Sequence, residues 1–577
     1  MKIFNYNKKS PLSLHLKWSG RTAKSLAVGL LSALALTACS NDNIDERQKE
    51  EPKTPSVYLR FHTKMAEGTR SETNSSGESE DGRLNAEVNE SLINALNIII
   101  CEADVDDPTQ DTYLYQVFGH PKINDNVSSG AQVTIEITDT DKFLAALAKK
   151  KIRLYLVANE AIAQDGITPA TAKFTYTSAI NKAPLGVFEN GGRVLPLVNA
   201  KESGVLNFSA MTADDIKKLF FASTENTLNV SNDIANVGSV GTIQLERAVA
   251  RIDFQGQPED EYVTDIEDEF STSPNVPTIS TRAENEIDKE SNIYALQNTE
   301  VYLRIDRMQL FNVSKEAYMF KHTIKGDYTS ANYDDNRSAS LFGIENGYSD
   351  TSYNWVVDTD WTNGNGKGTD YYCPFEFDYT KNDTSVELAK VLGLGAGETG
   401  NVSSTESKYH PVWYVSENTL PHTSMMPELD EAGEVNAANY ATGICFRMCV
   451  LNKEHQNLGK TADDKKGRQI EYNTEDADHP FITITMPSGE YQEIPYDEEQ
   501  NGYYLTYYAL IHHNIPKNWK KADGYGPMNT GVVRNNVYQL KVASISHLPN
   551  PKEAKPCYLE LEVTVKPWQK RENVMDF

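Results

Sequence analysis

Five groups of residues have the types and spacing that could do chemistry, and each reads better as structure. Asp104, Asp106, Asp107 and Asp111 gather carboxylates of the kind that hold calcium. They lack the spacing and the terminal Glu of a calcium-binding loop, so they read as a solvated hairpin tip. Gly393-Leu394-Gly395-Ala396-Gly397 has the composition of a phosphate-cradling loop but follows a helix predicted over 385–392. A dinucleotide fingerprint needs a strand first, so these glycines end a helix instead. His512-His513 falls in a predicted strand, where the two side chains face opposite ways and cannot share a metal. Cys445 and Cys449 sit four apart in another strand, on one face but too far apart along it to bond, and read as buried thiols. A zinc site would want closer pairs and nearby partners. Tyr503-Tyr504 and Tyr507-Tyr508 suit either a sugar-binding platform or sheet packing, and packing is the better account. There is no zinc-protease His-Glu pattern and no nucleophile elbow. The expectation is a protein that is not an enzyme and needs no cofactor and no metal.

The N-terminal stretch carries chemistry done to the chain. Lys2, Lys8, Lys9, Lys17, Arg21 and Lys24 precede an apolar run over 26–36, with no acid before Asp42. That is the pattern of a secretory signal, too short for a comfortable membrane span. Leu36-Thr37-Ala38-Cys39 resembles the lipobox of bacterial lipoproteins. It implies cleavage between Ala38 and Cys39 and lipidation of Cys39. A charged, Pro-bearing tether over 46–55 follows, and then Val57-Tyr58-Leu59-Arg60-Phe61-His62-Thr63. Val57, Leu59 and Phe61 share one face and Tyr58, Arg60 and His62 the other, the period of a half-buried strand. The next segment, 64–87, is polar, and Arg70-Ser71 within it suits a trypsin-like protease. A cut there would separate the lipid and the first strand from the body.

The chain has 577 residues, room for two or three domains. Its 30 Tyr, with many Thr, Val and Asn, favour strands and turns. Net charge is −27, and loss of the signal removes six basic residues and no acid, leaving −33. A surface so acidic excludes nucleic acid as a partner and fits a self-repelling extracellular protein. With Cys39 assigned to lipid, five cysteines remain, an odd and sparse set that is no disulfide framework.

Period-two patterns predict strands at 96–101, 113–118, 133–137, 152–156, 243–254, 301–305, 503–512, 537–545 and 559–565. Further strands are expected near Tyr318, Trp355, Phe375, Trp413 and Phe446, with hairpin dipeptides at Asn346-Gly347 and Asn501-Gly502. Short helices are predicted over 141–151 and 208–221, the second capped by Thr212. The fold class is therefore mainly β, as two sandwich-like domains with a few short helices. The organisation reads as a signal peptide over 1–38, a propeptide with lipid anchor and removable strand over 39–70, and an N-terminal β-sandwich over 71–256. An acidic linker or excursion over 257–298 leads to a C-terminal β-sandwich over 299–577.

Four islands then carry a family resemblance. They are Leu245-Glu246-Arg247-Ala248-Val249-Ala250-Arg251-Ile252, Trp413-Tyr414-Val415-Ser416-Glu417-Asn418, Val532-Val533-Arg534-Asn535-Asn536-Val537-Tyr538 and Val563-Thr564-Val565-Lys566-Pro567-Trp568. With the lipobox they resemble the fimbrillins of Bacteroidales, the subunits of type V pili, and most of all the major shaft subunit of the short fimbriae. The resemblance implies two transthyretin-like β-sandwich domains, export as a lipoprotein to the outer membrane, and cleavage after an Arg beyond the first strand. A strand from the next subunit then fills the groove. Here the cut maps to Arg70-Ser71 and the departing strand to Val57, Leu59, Phe61 and their neighbours. The last apolar residues, Val574, Met575 and Phe577, are the expected assembly tail. Expected partners are further copies, anchor and tip subunits, a trypsin-like surface protease, and host or bacterial surface receptors. The alternatives are a tip or anchor subunit, or a surface lipoprotein that binds glycans.

Overall fold

The structure is a computed structural model. It describes residues 55–66, 84–85, 88–127, 130–160, 167–175, 186–187, 195–258, 290–325, 340–342, 354–359, 371–372, 384–392, 394, 409–419, 441–473, 479–513, 531–549 and 559–569. Outside them lie Ala38, Cys39, Arg70, Ser71, Val574, Met575 and Phe577, the strand expected near Phe375, the dipeptide Asn346-Gly347 and most of the glycine run at 393–397.

The described chain is mainly β, as expected. The N-terminal part builds one sheet. Its strands are β1 (Val57–Met65), β3 (Leu96–Glu102), β4 (Thr112–Gly119), β5 (Lys122–Val127), β6 (Gly130–Ile137), β7 (Lys151–Ala158), β8 (Leu197–Asn199), β9 (Thr227–Asn229) and β10 (Thr242–Arg247), with β2 (Leu84–Asn85) belonging elsewhere. The spatial order is β4-β3-β7-β8-β10-β1-β6-β5, so the first strand in sequence is an interior strand of the sheet.

Alternation decides which face each residue covers. On one face Val57, Leu59, Phe61, Ile98, Ile100, Leu154, Leu156 and Leu245 meet α1 (Thr140–Leu147) and α2 (Ala213–Phe221). Both helices start where the sequence provides caps. The Asp139 side chain accepts from the Lys142 N–H, and Thr212 forms a capping box with Asp215. Phe143 and Phe220 meet edge to face at 5.9 Å and tie the two helices together. On the other face Ile99, Cys101, Tyr155 and Val157 pack on Ala317, Phe320 and Leu341 from later in the chain. β3 and β7 therefore read as nearly continuous apolar runs, because both of their faces are covered.

The run 243–254, expected as one strand, is two. It breaks at Ala248, and the chain passes from the first sheet into another as β11 (Val249–Gln255). Every residue of Val249–Gln255 is buried, so alternation alone hides the change of sheet.

β11 joins β13 (His410–Ser416) on one side and β19 (Asn536–Ile545) on the other, and β19 pairs with β20 (Leu559–Gln569). Facing them is a second sheet built on β12 (Tyr302–Phe311), β14 (Gly443–Leu451), β15 (Ile470–Asn473), β16 (Phe481–Thr485), β17 (Tyr491–Asp497) and β18 (Gly502–Leu510). Phe254, Trp413, Tyr538 and Leu540 from one sheet share a core with Leu303, Phe446, Met448, Leu505 and Tyr507 from the other, which is a β-sandwich.

Smaller expectations also meet corrections. Asp111 is not a solvated tip residue. It is buried and binds Arg153 Nη1 at 2.6 and 2.8 Å and the Tyr155 hydroxyl at 2.7 Å, because Arg153 brings its cation beneath the hairpin. The helix expected over 385–392 shortens to Leu388–Val391. His512-His513 lies past the end of β18, not in it, and His513 Nδ1 sits 2.6 Å from the buried Tyr538 hydroxyl. Cys445 and Cys449 are buried and unbridged, and Tyr503 and Tyr507 point into the core, as packing required.

Candidate assembly site

β1 has hydrogen-bonded neighbours on both sides. It runs antiparallel to β6, from Val57 opposite Ile137 to Thr63 opposite Ala131. On its other edge it runs parallel, first to β9 (Tyr58 to Arg60) and then to β10 (His62 to Met65). Two short strands separated by residues 230–241 thus share one edge of a single strand.

The inward side chains are as buried as any in the fold: Val57 and Phe61 at 0% exposure and Leu59 at 2%. Burying each contributes about 1.5–3 kcal/mol. The outward side makes lighter contacts. Arg60 reaches Glu225 at 2.7 Å and Thr134 Oγ1 at 3.2 Å, and the His62 N–H donates to Ser231 Oγ at 2.7 Å. Gly130, where β6 begins, has φ +133°, and a Cβ there would come within 2.0 Å of the Thr63 carbonyl oxygen. A side chain at 130 would push β6 away from β1.

Taking such a strand out leaves two rows of unpaired N–H and C=O groups flanking an apolar trough. Another extended segment with the same alternation satisfies both, which is β-augmentation. The trough left in that way matches a strand with apolar side chains at every second position.

At its far end β1 reaches the junction between the sheets. The Ala66 N–H donates to the Leu245 carbonyl at 2.6 Å, and Asn535 Nδ2 donates to the Ala66 carbonyl at 3.4 Å. Arg247 Nη1 donates to Asn535 Oδ1 at 3.2 Å, while Arg247 Nε and Nη2 bind the Glu90 carbonyl and Ser91 Oγ at 3.0 and 2.8 Å. Burial pushes the Arg247 guanidinium down to about 10, with Glu90 opposing that. Alongside, Arg251 binds Glu90 at 3.2 Å and Asp253 at 2.9 Å, and the Tyr414 hydroxyl donates to Glu90 Oε1 at 2.8 Å. Burial alone would lower Arg251, but Asp253 and Glu90 more than offset it and hold it above its ordinary range. Burial raises Asp253 to about 6 against the pull of Arg251. Two more buried pairs, Lys321–Glu246 and Arg534–Glu417, each at 2.9 Å, continue the joint.

Three of the four sequence islands thus meet at one place. Their charges had drawn no structural reading. The available signal was Glu246, Arg247 and Arg251 inside an otherwise apolar run, since a charge on a buried strand demands a partner.

The fourth island is the end of β20. This strand pairs antiparallel with β19 over most of its length, and on its other edge β2 adds two parallel pairs, at Trp568 and Gln569. Leu561, Val563 and Val565 are partly buried against the C-terminal core.

Among the described residues, no group of three or more His, Cys, Asp and Glu is placed to hold a metal. No described helix is long and apolar enough to cross a membrane.

No curated protein matches the chain. Solved structures align over most of its length at low identity. One is a candidate cell adhesion protein from Parabacteroides distasonis, with 13% identity over 90% of this chain and 99% of that one and a TM-score of 0.34. Another is the tip fimbrial protein Mfa3 from Porphyromonas gingivalis with C-terminal truncation, with 10% identity over 89% and 100% and a TM-score of 0.28. A candidate cell adhesion protein from Bacteroides eggerthii gives 10% identity over 89% and 97% and a TM-score of 0.32. Residues 501–574, from the turn into β18 to just beyond β20, match the model of the fimbrillin C-terminal domain, major fimbrial subunit protein type IV, and over that segment the chain is similar to that family.

Proposed function

We propose that the chain is a structural subunit of a cell-surface fimbria that polymerises by strand exchange and supports adhesion and biofilm formation. In this reading Cys39 is lipidated after cleavage behind Ala38, and the lipoprotein reaches the outer membrane. A trypsin-like surface protease cuts between Arg70 and Ser71 and β1 leaves. A segment from a second copy then occupies the slot between β6 and the β9–β10 edge.

One observation carries the reading. The first strand is interior to its sheet, so its loss opens the fold at a defined place, while the polar segment behind it holds Arg70-Ser71. An intact β1 blocks the slot and prevents premature assembly. Donor and acceptor surfaces differ, so the contact is heterologous and builds an open filament, with anchor and tip subunits at its ends. The match of residues 501–574 to the fimbrillin C-terminal domain favours the same role. Nothing in the chemistry of the slot suits catalysis.

Within this reading the chain is a shaft subunit, which must both accept and donate. The donated part is the segment after Trp568, with Val574, Met575 and Phe577 as anchors. N-terminal sequencing of purified filaments tests the reading: Ser71 is expected at the start, and Cys39 there would overturn it. A chain truncated at Trp568 is expected to be cut at Arg70 and to form no filaments. Normal filaments from it would remove the tail as donor.

A further inference from the structure

The slot does not end where the sheet ends. Met65 is the last residue of β1 in register with β10, opposite Leu245. The next residue, Ala66, is 8% exposed, and its carbonyl turns out of the ladder to Asn535 of the C-terminal part. Asn535 has little freedom to look elsewhere. Its N–H is held by the Val249 carbonyl at 2.8 Å, and its Oδ1 accepts from the Arg247 N–H and from Nη1. It also holds φ +58°, a left-handed conformation that Asn tolerates and most residues do not. The Nδ2 donor is thus aimed at one point, inside a site where Asn535 itself is 0% exposed.

When β1 departs, Asn535 loses the acceptor it has here. A strand that covers the site again without offering a carbonyl leaves that donor buried and unmet, which is costly. The same Arg247 that fixes Asn535 also grips Glu90 and Ser91, beyond the predicted cut. One buried pair therefore holds the chain on both sides of the Arg70-Ser71 segment, and only the foot at Ala66 leaves with the propeptide.

We infer that Asn535, locked by Arg247, is the last subsite of the acceptor slot and sets how far the strand that fills it must reach. The inference rests on the reading that a second copy refills the slot. An incoming strand must reach past the sheet and place a backbone carbonyl where the Ala66 carbonyl now sits. A strand that ends one residue short fills the same apolar positions but leaves Asn535 unmet.

Peptides with the sequence of β1 test this on the mature chain beginning at Ser71, with filament formation as the readout. Residues 57–66 as a C-terminal amide are compared with residues 57–65 as a C-terminal N-ethylamide. The ethylamide still supplies the N–H that reaches the Leu245 carbonyl and fills the place of the buried Ala66 methyl, but lacks the carbonyl for Asn535. The longer peptide is expected to inhibit assembly at about tenfold lower concentration. Asn535→Asp keeps the left-handed backbone and the acceptor for Arg247 but removes the donor, and is expected to abolish the difference. Should the variant fail to fold, the two peptides on the unchanged chain still decide. Equal inhibition by both would overturn the last subsite and leave the slot standing. No inhibition by either, with filaments forming normally, would overturn the slot reading and the subsite together.

Discussion

The first and last described strands have the same alternating apolar pattern and opposite situations. β1 (Val57–Met65) lies between two partners, with its inward side chains at 0–3% exposure down to Thr63. β20 (Leu559–Gln569) has one partner, β19, for most of its length, and Leu561, Val563 and Val565 are only partly buried. Pro567 sits in β20, a residue that cannot donate to a ladder and is at home on an edge. A strand held on both sides is bound by two ladders and its buried face, whereas an edge strand is bound by one ladder and one face. Position in the sheet, not hydrophobic pattern, separates an interior strand from an edge.

The largest effects should come from a charge in each strand. Phe61→Asp in the uncut chain loses an aromatic side chain and buries an unpaired carboxylate in the N-terminal core, at a cost of about 4 kcal/mol or more. It should misfold and be degraded before export, as seen by immunoblot of surface fractions. Leu561→Asp should cost about 1–2 kcal/mol, since half-buried sites lose part of that term and keep access to water. Its uncut form should be exported and melt a few degrees lower. Equal losses in the two variants would break the comparison.

An intermediate effect concerns the joint between the regions. Asp253 is buried, with its carboxyl raised to about 6 from an ordinary 3.8. The folded state then binds a proton more readily than the unfolded chain. This group favours folding fully below about pH 4, and that contribution is lost as pH rises through about 6. Asp253→Asn removes this dependence, so the stability of the native chain relative to the variant should fall between pH 4 and 6 in denaturant titrations. A gap that widens over that range would contradict the assignment.

The smallest effect belongs to the outward face of β1. The Arg60–Glu225 pair is short at 2.7 Å, but Glu225 is 64% exposed, and solvent-screened pairs contribute about 0–1 kcal/mol. Arg60→Ala should shift the melting temperature by a degree or two and leave the proposed cut after Arg70 unchanged. A loss near that of Phe61→Asp would mean the outward face holds the strand as firmly as the inward one.

Much of this was legible locally. Val57, Leu59 and Phe61 announced a strand with one buried face, and Thr212 announced the cap of α2, which begins at Ala213 and not at 208 as expected. Burial of Tyr503 and Tyr507 followed from strand alternation within an aromatic run. The break at Ala248 did not, because a strand covered on both faces carries the same apolar string in one sheet as in the next. Nor did the joint: Glu90, Arg247, Arg251 and Asn535 are as much as 445 positions apart, and no periodicity links charges across that separation.

By itself the sequence determined what each segment carries. Its apolar spacing sets strand and face, its small polar residues set caps and turns, and its acidic excess sets the surface, since all of these depend on neighbours a few positions away. Only the tertiary structure decided which strands are neighbours. It placed β1 inside the sheet against β6, β9 and β10 and left β20 near an edge. It also brought Ala66 to Asn535. Such pairings are chosen by the packing of whole faces and by the need to pair every buried backbone group and charge, and that is a property of the assembled core.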